Sequence, residues 1–326
     1  MTISGLGTRK SIDSGLAWLL VICVIGVFAQ ISLGGVVRVT DSGLGCPDWP
    51  LCNGRLIPAA EFHTLLEYSH RVVGLLVGLF LVVTTLRVWM RHRANSKMLF
   101  AITAATFLVV IVGGVGGAVV LSELHPALRT AHLALAEIVL LLSIMGLASH
   151  IRSPINEKSS YTTLDESGNR RHWLLAIAAA MTLAALLSGS YAVWRGAGAV
   201  CPSWPLCGGT LIPESELVWV HMVHRLLALV ASVITILIVA LTMLQRTQTR
   251  VRMDLVATVL VIVGAQVLIG AANPWSEFSS WARAIHLSLG TMSWGALSLL
   301  TALSWPDSDK LYGVRLTSQT SWSKEL

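Results

Sequence analysis

The chain has 326 residues, 54% of them hydrophobic and only 12% charged, with a mean hydropathy of +0.71 and a formal net charge of +6. Soluble proteins carry about 25% charged residues, and a chain this apolar lacks the polar surface to cover a water-soluble fold of its size. Disorder, a collagen-like repeat, a disulfide-dense miniprotein and a basic nucleic-acid-binding domain are excluded on the same figures, leaving an integral membrane protein.

Charge-free runs cover residues 14–37, 72–86, 98–122, 173–194, 226–245, 255–276 and 284–306. An additional apolar stretch, 128–150, is interrupted only by Arg129 and Glu137. Most reach the roughly 20 residues that a spanning helix needs. The second and sixth spans extend outward through His70-Arg71 and His224-Arg225, so eight membrane helices are expected in an all-α fold. The first is followed by another long span rather than a cleavage site and is read as a retained helix. Sixteen of the 23 basic residues fall in the N-terminus, 87–97, 152–171, 246–252 and the tail after Trp305. The positive-inside rule then places both termini in the cytoplasm and the alternate loops outside.

The sequence repeats at an offset of about 154 residues. Cys46-Pro-Asp-Trp-Pro-Leu-Cys52 recurs as Cys201-Pro-Ser-Trp-Pro-Leu-Cys207, each followed by a Leu-Ile-Pro ending at Pro58 or Pro213. His70-Arg71 matches His224-Arg225, and Arg129-Thr-Ala-His132 matches Arg283-Ala-Ile-His286. Each copy holds four helices, an even number, so both copies have the same orientation in the membrane. The expected organisation is an N-terminal four-helix half (1–151), a polar linker (152–171), a C-terminal four-helix half (172–306) and a tail (307–326). Two pseudo-symmetric four-helix bundles would result.

His70, His132, His224 and His286 open the second and fourth helix of each half, at similar depth near the outer face. Polar side chains there are costly and usually functional. Two neutral imidazoles facing across a four-helix bundle suit the axial positions of a haem iron; zinc would want more ligands at one point. The competing reading is that each histidine merely bonds a neighbouring helix. Arg129 and Arg283 stand one turn before His132 and His286, and Arg71 and Arg225 directly follow the other two histidines. Such cations suit outward-facing propionates, although interfacial snorkelling would also place them there. The two C-x5-C pairs are read as disulfides, Cys46 with Cys52 and Cys201 with Cys207, bracing external loops. A redox role for one pair stays open, and Cys23 is expected to be a small core residue. No C-x-x-C-H is present, so these are not c-type haem attachments.

The copies differ at two positions. Glu67 stands three residues before His70, where the other half has His221, which suggests proton chemistry in the first half only. Glu137, five residues past His132, is matched by Thr291 and reads either as a proton-path group or as an interhelical hydrogen-bonding acid. His63 and His125 are expected to be solvated, and His92, His150 and His172 to contact lipid headgroups.

Eight spans in two halves, an E-x-x-H-R start to the second helix, four duplicated histidines and paired external cysteines together resemble the haem A synthase family, over essentially 14–305. The resemblance implies a membrane enzyme that oxidises a methyl group of haem O to a formyl group, giving haem A for terminal oxidases. It implies haem b as cofactor, held by His224 and His286, and a substrate haem held by His70 and His132. Glu67 matches the family's essential glutamate and Cys46 with Cys52 its external pair. A haem O synthase (protohaem farnesyltransferase) is the expected upstream partner, an unidentified electron acceptor takes the electrons, and membrane lipid surrounds the whole. Two rivals are a di-haem b-type electron-transfer cytochrome and a haem transporter or chaperone. Haems on one face of the bilayer serve the first poorly, and the second predicts broken helices and alternating access.

Overall fold

In a computed structural model of the chain, residues 13–152, 166–209, 215–243 and 250–304 are described. They form eight helices: α1 (Ser14–Val39), α2 (Phe62–Arg91), α3 (Ser96–Leu121), α4 (Pro126–Arg152), α5 (Glu166–Trp194), α6 (Glu216–Met243), α7 (Arg250–Trp275) and α8 (Ser280–Ser304). All eight are long and apolar enough to cross a membrane. A β-bridge pairs Cys52 with Arg55. The protein is an all-α, multi-pass membrane protein. Most of the 152–171 linker and the 307–326 tail lie outside the described residues, as does the second Leu-Ile-Pro.

The helices match the apolar runs except at the starts of α2 and α6, which begin about ten residues before the charge-free segments. The extra turns carry Glu67, His70 and Arg71 in one case and His221, His224 and Arg225 in the other. Hydropathy cannot see these turns because they carry polar side chains. Large apolar side chains such as Trp18, Leu75, Phe100, Phe107 and Leu268 face outward, as expected where lipid replaces water. The larger of two buried clusters draws Cys23 and Val27 from α1, Leu81 from α2, Leu140 and Ile144 from α4, Ala178 from α5 and Trp294 with Leu297 from α8. A smaller one gathers Leu16 and Leu20 of α1, Val88 of α2 and Met98 with Ile102 of α3. Cys23 is a free, buried thiol 3.3 Å from Thr84 Oγ1.

Neighbour relations run α1–α2–α3–α4 and back to α1 in the first half, and α5–α6–α7–α8 and back to α5 in the second. The halves meet where α1 and α4 touch α8 and where α4 touches α5. Close approach there depends on small residues: a Cβ on Gly35 of α1 would lie 2.6 Å from Leu287 Cδ2 of α8. Between α4 and α8, Thr291 Oγ1 donates to Glu137 Oε1 at 2.6 Å, with Glu137 fully buried. The interhelical hydrogen bond is therefore what the structure gives Glu137.

At the end of the molecule where α1 begins, Asp13 caps the helix by accepting from Leu16 N–H at 3.1 Å. The same carboxylate pairs with Arg87 of α2 at 2.8 Å and lies 3.1 Å from His92 Nε2. Partial burial opposes its ionisation, but the Leu16 N–H, Arg87 and His92 together hold the carboxyl at about 2, below the ordinary 3.8. The stabilisation is therefore complete above about pH 4 and is lost as pH falls through about 2. Replacing Asp13 by alanine removes both cap and pair, and a loss of about 1 kcal/mol is expected, measurable as a lowered melting temperature in detergent at pH 7; an unchanged one would show that the cap carries no stability. His150 and His172 do not contact headgroups: they are 7% and 2% exposed, with His150 against the His92 ring. His172 Nδ1 likewise lies 3.3 Å from Ser304 Oγ of α8, so both rings pack on neighbouring elements.

Candidate functional site

The four histidines stand on α2, α4, α6 and α8, each partly buried. In the second half the His224 and His286 rings have centroids 6.3 Å apart and are perpendicular, at 89°. A metal–imidazole bond of about 2 Å, plus roughly 1.1 Å from nitrogen to ring centre, puts two axial imidazoles about 6 Å apart. The pair is thus spaced to hold one ion between them. In the first half His132 lies within electrostatic reach of His70. Among the described residues no group of three or more His, Cys, Asp or Glu side chains converges on a metal position. An iron held by one of these pairs would need its remaining ligands from a bound group such as a porphyrin.

Each imidazole is seated on a glycine. A Cβ at Gly34 would lie 2.9 Å from His70 Cε1, at Gly116 3.1 Å from His132 Cε1, at Gly189 2.7 Å from His224 Cε1 and at Gly270 3.0 Å from His286 Cε1. These glycines belong to α1, α3, α5 and α7, so every histidine leans on an odd-numbered helix of its own half. The absent side chain also bares a backbone carbonyl one turn earlier. His224 Nδ1 is 2.9 Å from the Ala185 carbonyl oxygen, and the carbonyls of Val112 and Gln266 lie beside His132 and His286. A carbonyl beside Nδ1 favours the tautomer that leaves Nε2 free for a metal. None of the four glycines was singled out in the sequence, although they recur within one residue of the offset that relates the histidines. In the first half the equivalent of Ala185 is Gln30, whose Nε2 donates to the His70 carbonyl at 2.9 Å and stands 3.5 Å from His70 Nε2.

Glu67 is 5% exposed and forms an ion pair with Arg71, Oε1 to Nε, at 3.1 Å. Arg71 spends its other donors on the cysteine loop: on the carbonyls of Cys46 at 2.7 Å, Asp48 at 2.8 Å and Leu51 at 2.6 Å. Arg225 does the same in the second half, donating to Ser203 at 2.8 Å, Pro205 at 2.9 Å and Cys201 at 3.4 Å. The structure thus turns Arg71 and Arg225 toward the loops. A guanidinium can fork to several carbonyls, and a loop closed by a disulfide presents them together. The remaining difference between copies stays at the Glu67 position, where His221 bonds the Ala197 carbonyl through Nδ1 at 2.8 Å.

Both loops are closed by disulfides, Cys46–Cys52 and Cys201–Cys207. Asp48 accepts from the Asn53 and Gly54 N–H groups, at 2.5 and 2.7 Å. The Gly54 and Asn53 amides hold its carboxyl below the usual carboxylate range. Gly54 takes a left-handed φ of +68°, matched by +65° at Gly208, which a non-glycine residue would adopt only with strain. Trp49 then lies over Gly117 of α3, and Trp204 over Trp275 at the end of α7. Each loop is a lid clamped by one arginine and one tryptophan. Non-reducing peptide mass spectrometry is expected to recover two within-loop cross-links and a free Cys23; a cross-link between loops would refute independent lids. Arg129 and Arg283, the other two candidate cations, do not turn to the loops; they lie near Arg38 and Trp194 where the halves meet.

The fold and site define a class: a multi-pass membrane protein with duplicated histidine pairs beneath disulfide-closed lids. The family profile COX15-CtaA, described as cytochrome oxidase assembly protein, matches residues 17–298. Similar proteins include the haem A synthase of Symbiobacterium thermophilum, 32% identical with 84% of this chain and 90% of that protein covered. The haem A synthase of Exiguobacterium sibiricum is 31% identical, covering 82% and 88%. That of Geobacillus thermodenitrificans is 29% identical, covering 89% and 91%. The chain belongs to the COX15-CtaA family, the haem A synthases.

Proposed function

We propose that this chain converts haem O to haem A, oxidising one methyl substituent to a formyl group, with haem b as resident cofactor. The observation that carries the reading is the pair of duplicated histidine seats with a carboxylate, Glu67, beside only one of them. In this reading 1–151 is the substrate half, with His70 and His132 holding haem O, and 172–306 the cofactor half, with His224 and His286 holding haem b. The 6.3 Å perpendicular spacing of His224 and His286 supports it. So do the glycine seats, which hold the four imidazole rings in place. Both termini face the cytoplasm of a plasma-membrane protein and the lids face outward. A haem O synthase supplies the substrate.

When bound, haem b supplies one-electron redox chemistry. With water as the oxygen source, converting methyl to formyl releases four electrons and four protons, through an alcohol and a gem-diol that loses water. The electrons leave to an acceptor that the chain does not itself contain. The residues of the first half orient the substrate and handle the protons. Glu67 accepts a proton as water adds, or offsets positive charge at the reacting carbon, and Arg71 holds it on the lid-facing side of the helix. The lid above excludes bulk water, which strengthens that electrostatic effect. The competing reading, favoured by the same ion pair, makes Glu67 only an anchor for Arg71 and its loop.

The experiment is expression with and without a haem O synthase, followed by pigment extraction and chromatography. Haem A is expected only when both proteins are present, with haem b retained in either case. Haem b in both sites and no haem A would point to the electron-transfer cytochrome instead. The glycine seats give a separate test: Gly189→Val places methyl groups where the His224 ring stands. Overpacking of this kind costs about 1–3 kcal/mol, and the low-spin haem b spectrum is expected to be lost from protein that still folds; a normal spectrum would show that the seat does not position the ring.

A further inference from the structure

Three arginines converge where the two halves meet. Arg38 is in the last turn of α1, Arg129 in the first turn of α4 and Arg283 in the first turn of α8. Arg129 stacks its guanidinium on the Trp194 indole at the end of α5, 3.8 Å from the ring centre, and Arg38 lies 5.7 Å from the same ring. Arg38 is within electrostatic reach of both other arginines and of His286. Like charges gathered among packed helices repel unless an anion joins them.

Among the described residues no buried protein group supplies that anion. Among the described residues none of the three arginines forms an ion pair with a carboxylate. The exposed Asp41 is the acidic side chain near Arg129. The Nε atoms of Arg38, Arg129 and Arg283 and the Trp194 indole N–H are all buried without a hydrogen-bond partner. Arg283 uses Nη2 on the Val39 carbonyl at 3.3 Å and on Ser280 Oγ at 3.4 Å, which orients it without neutralising it. Placement adds to the argument: a cation in the first turn of a helix opposes the macrodipole, and neither α4 nor α8 has an acidic residue there. Stability alone would not choose arginine at those two positions, whereas a bound anion would use both the guanidinium and the helix end.

We propose that Arg38, Arg129, Arg283 and the Trp194 N–H form one carboxylate-binding junction between the halves, which takes propionate groups from the porphyrins at both histidine pairs, with Arg38 serving both. This rests on the reading that the histidine pairs hold haems. The carboxylates belong to the porphyrins rather than to lipid, because Arg129 and Arg283 stand one turn from His132 and His286 and the junction lies among α1, α4, α5 and α8. Arg38 is not duplicated: at its equivalent position the second half has Val193, next to Trp194. A single-copy cation between two copied sites suits a shared ligand contact and not a repeated structural one.

The test is titration of the full chain, produced in haem-limited cells, with protohaem and with its dimethyl ester, following the bis-imidazole low-spin spectrum. Wild-type protein is expected to prefer the free acid by at least about tenfold, the minimum for one charge-assisted contact. Arg38→Gln is expected to weaken acid binding at both sites and to narrow the acid–ester ratio, while Arg38→Lys restores part of it. A low-spin spectrum with equal affinity for acid and ester in the wild type would overturn the junction and leave the histidine ligation standing. So would an unchanged ratio in a folded Arg38→Gln. Absence of a low-spin spectrum with either porphyrin would overturn the haem reading of the histidines and the junction with it.

Discussion

Replacing His224 or His286 by alanine is expected to strip the protein of haem b. The two rings stand 6.3 Å apart and perpendicular, so an iron held there would take one ligand from each. The nearby His221, whose ring centre is 6.5 Å from that of His224, is engaged on the Ala197 carbonyl. Gly189 and Gly270 hold the rings against α5 and α7, and a truncated side chain leaves that contact empty. Loss of an outer partner of a metal ligand already costs 10–100-fold in affinity, so loss of the ligand itself should weaken haem b binding by more than about a hundredfold. Pyridine haemochrome content per mole of purified protein measures it. The matching changes at His70 or His132 are expected to spare haem b and abolish haem A formation. A full complement of low-spin haem b in His224→Ala or His286→Ala would show that the halves are assigned the wrong way round.

The second large effect is expected at Glu67. Glu67→Gln keeps the size of the side chain and an oxygen able to accept from Arg71 Nε, so the clamp on the Cys46–Cys52 loop survives. What it loses is the negative charge and the capacity to take up a proton. A general base or charge-stabilising carboxylate contributes about 10²–10⁴-fold to a rate, and haem A should fall to trace levels while haem O and haem b remain bound. Unreacted haem O would place Glu67 in the first oxidation, and a hydroxylated intermediate would place it in the second. Near-normal haem A would leave Glu67 as the anchor of Arg71. Arg71→Gln supplies the contrast, since it releases the loop and leaves the carboxylate in place.

The sequence made the helices legible because a bilayer imposes a simple rule, and the apolar runs reproduce six of the eight helix starts within a turn or two. The starts of α2 and α6 lie beyond the runs because their opening turns mix exposed polar residues, such as His63 and Glu216, with the buried Glu67 and His221. Histidines, cysteines and the odd position of Glu67 were legible through duplication, which turns weak single motifs into a pattern. The roles of Arg71 and Arg225 were not. Adjacency to a histidine says which helix carries the guanidinium, while its direction depends on where the cysteine loop folds back. The glycine seats were hidden for a different reason: a glycine in a membrane helix has many uses, and only its distance to an imidazole selects one. Arg38 was visible as one of the seven basic residues outside the basic-rich segments, but its meeting with Arg129 and Arg283 is a fact of three-dimensional packing between copies.

Glu137 and Thr291 hold the same place in the two copies and touch each other. Residues related by a two-fold operation can meet only on its axis, where two identical chains would set each side chain against its own twin. A glutamate would there confront a glutamate in a dry interface, and a threonine a threonine. One polypeptide carrying both copies is released from self-complementarity at that point, and here an acid meets a hydroxyl. The same release lets a carboxylate appear beside one histidine pair and not the other. The proposed division of labour between the two histidine pairs would thus be a freedom conferred by covalent fusion, and the seam between Glu137 and Thr291 is where unlike copies meet inside the molecule.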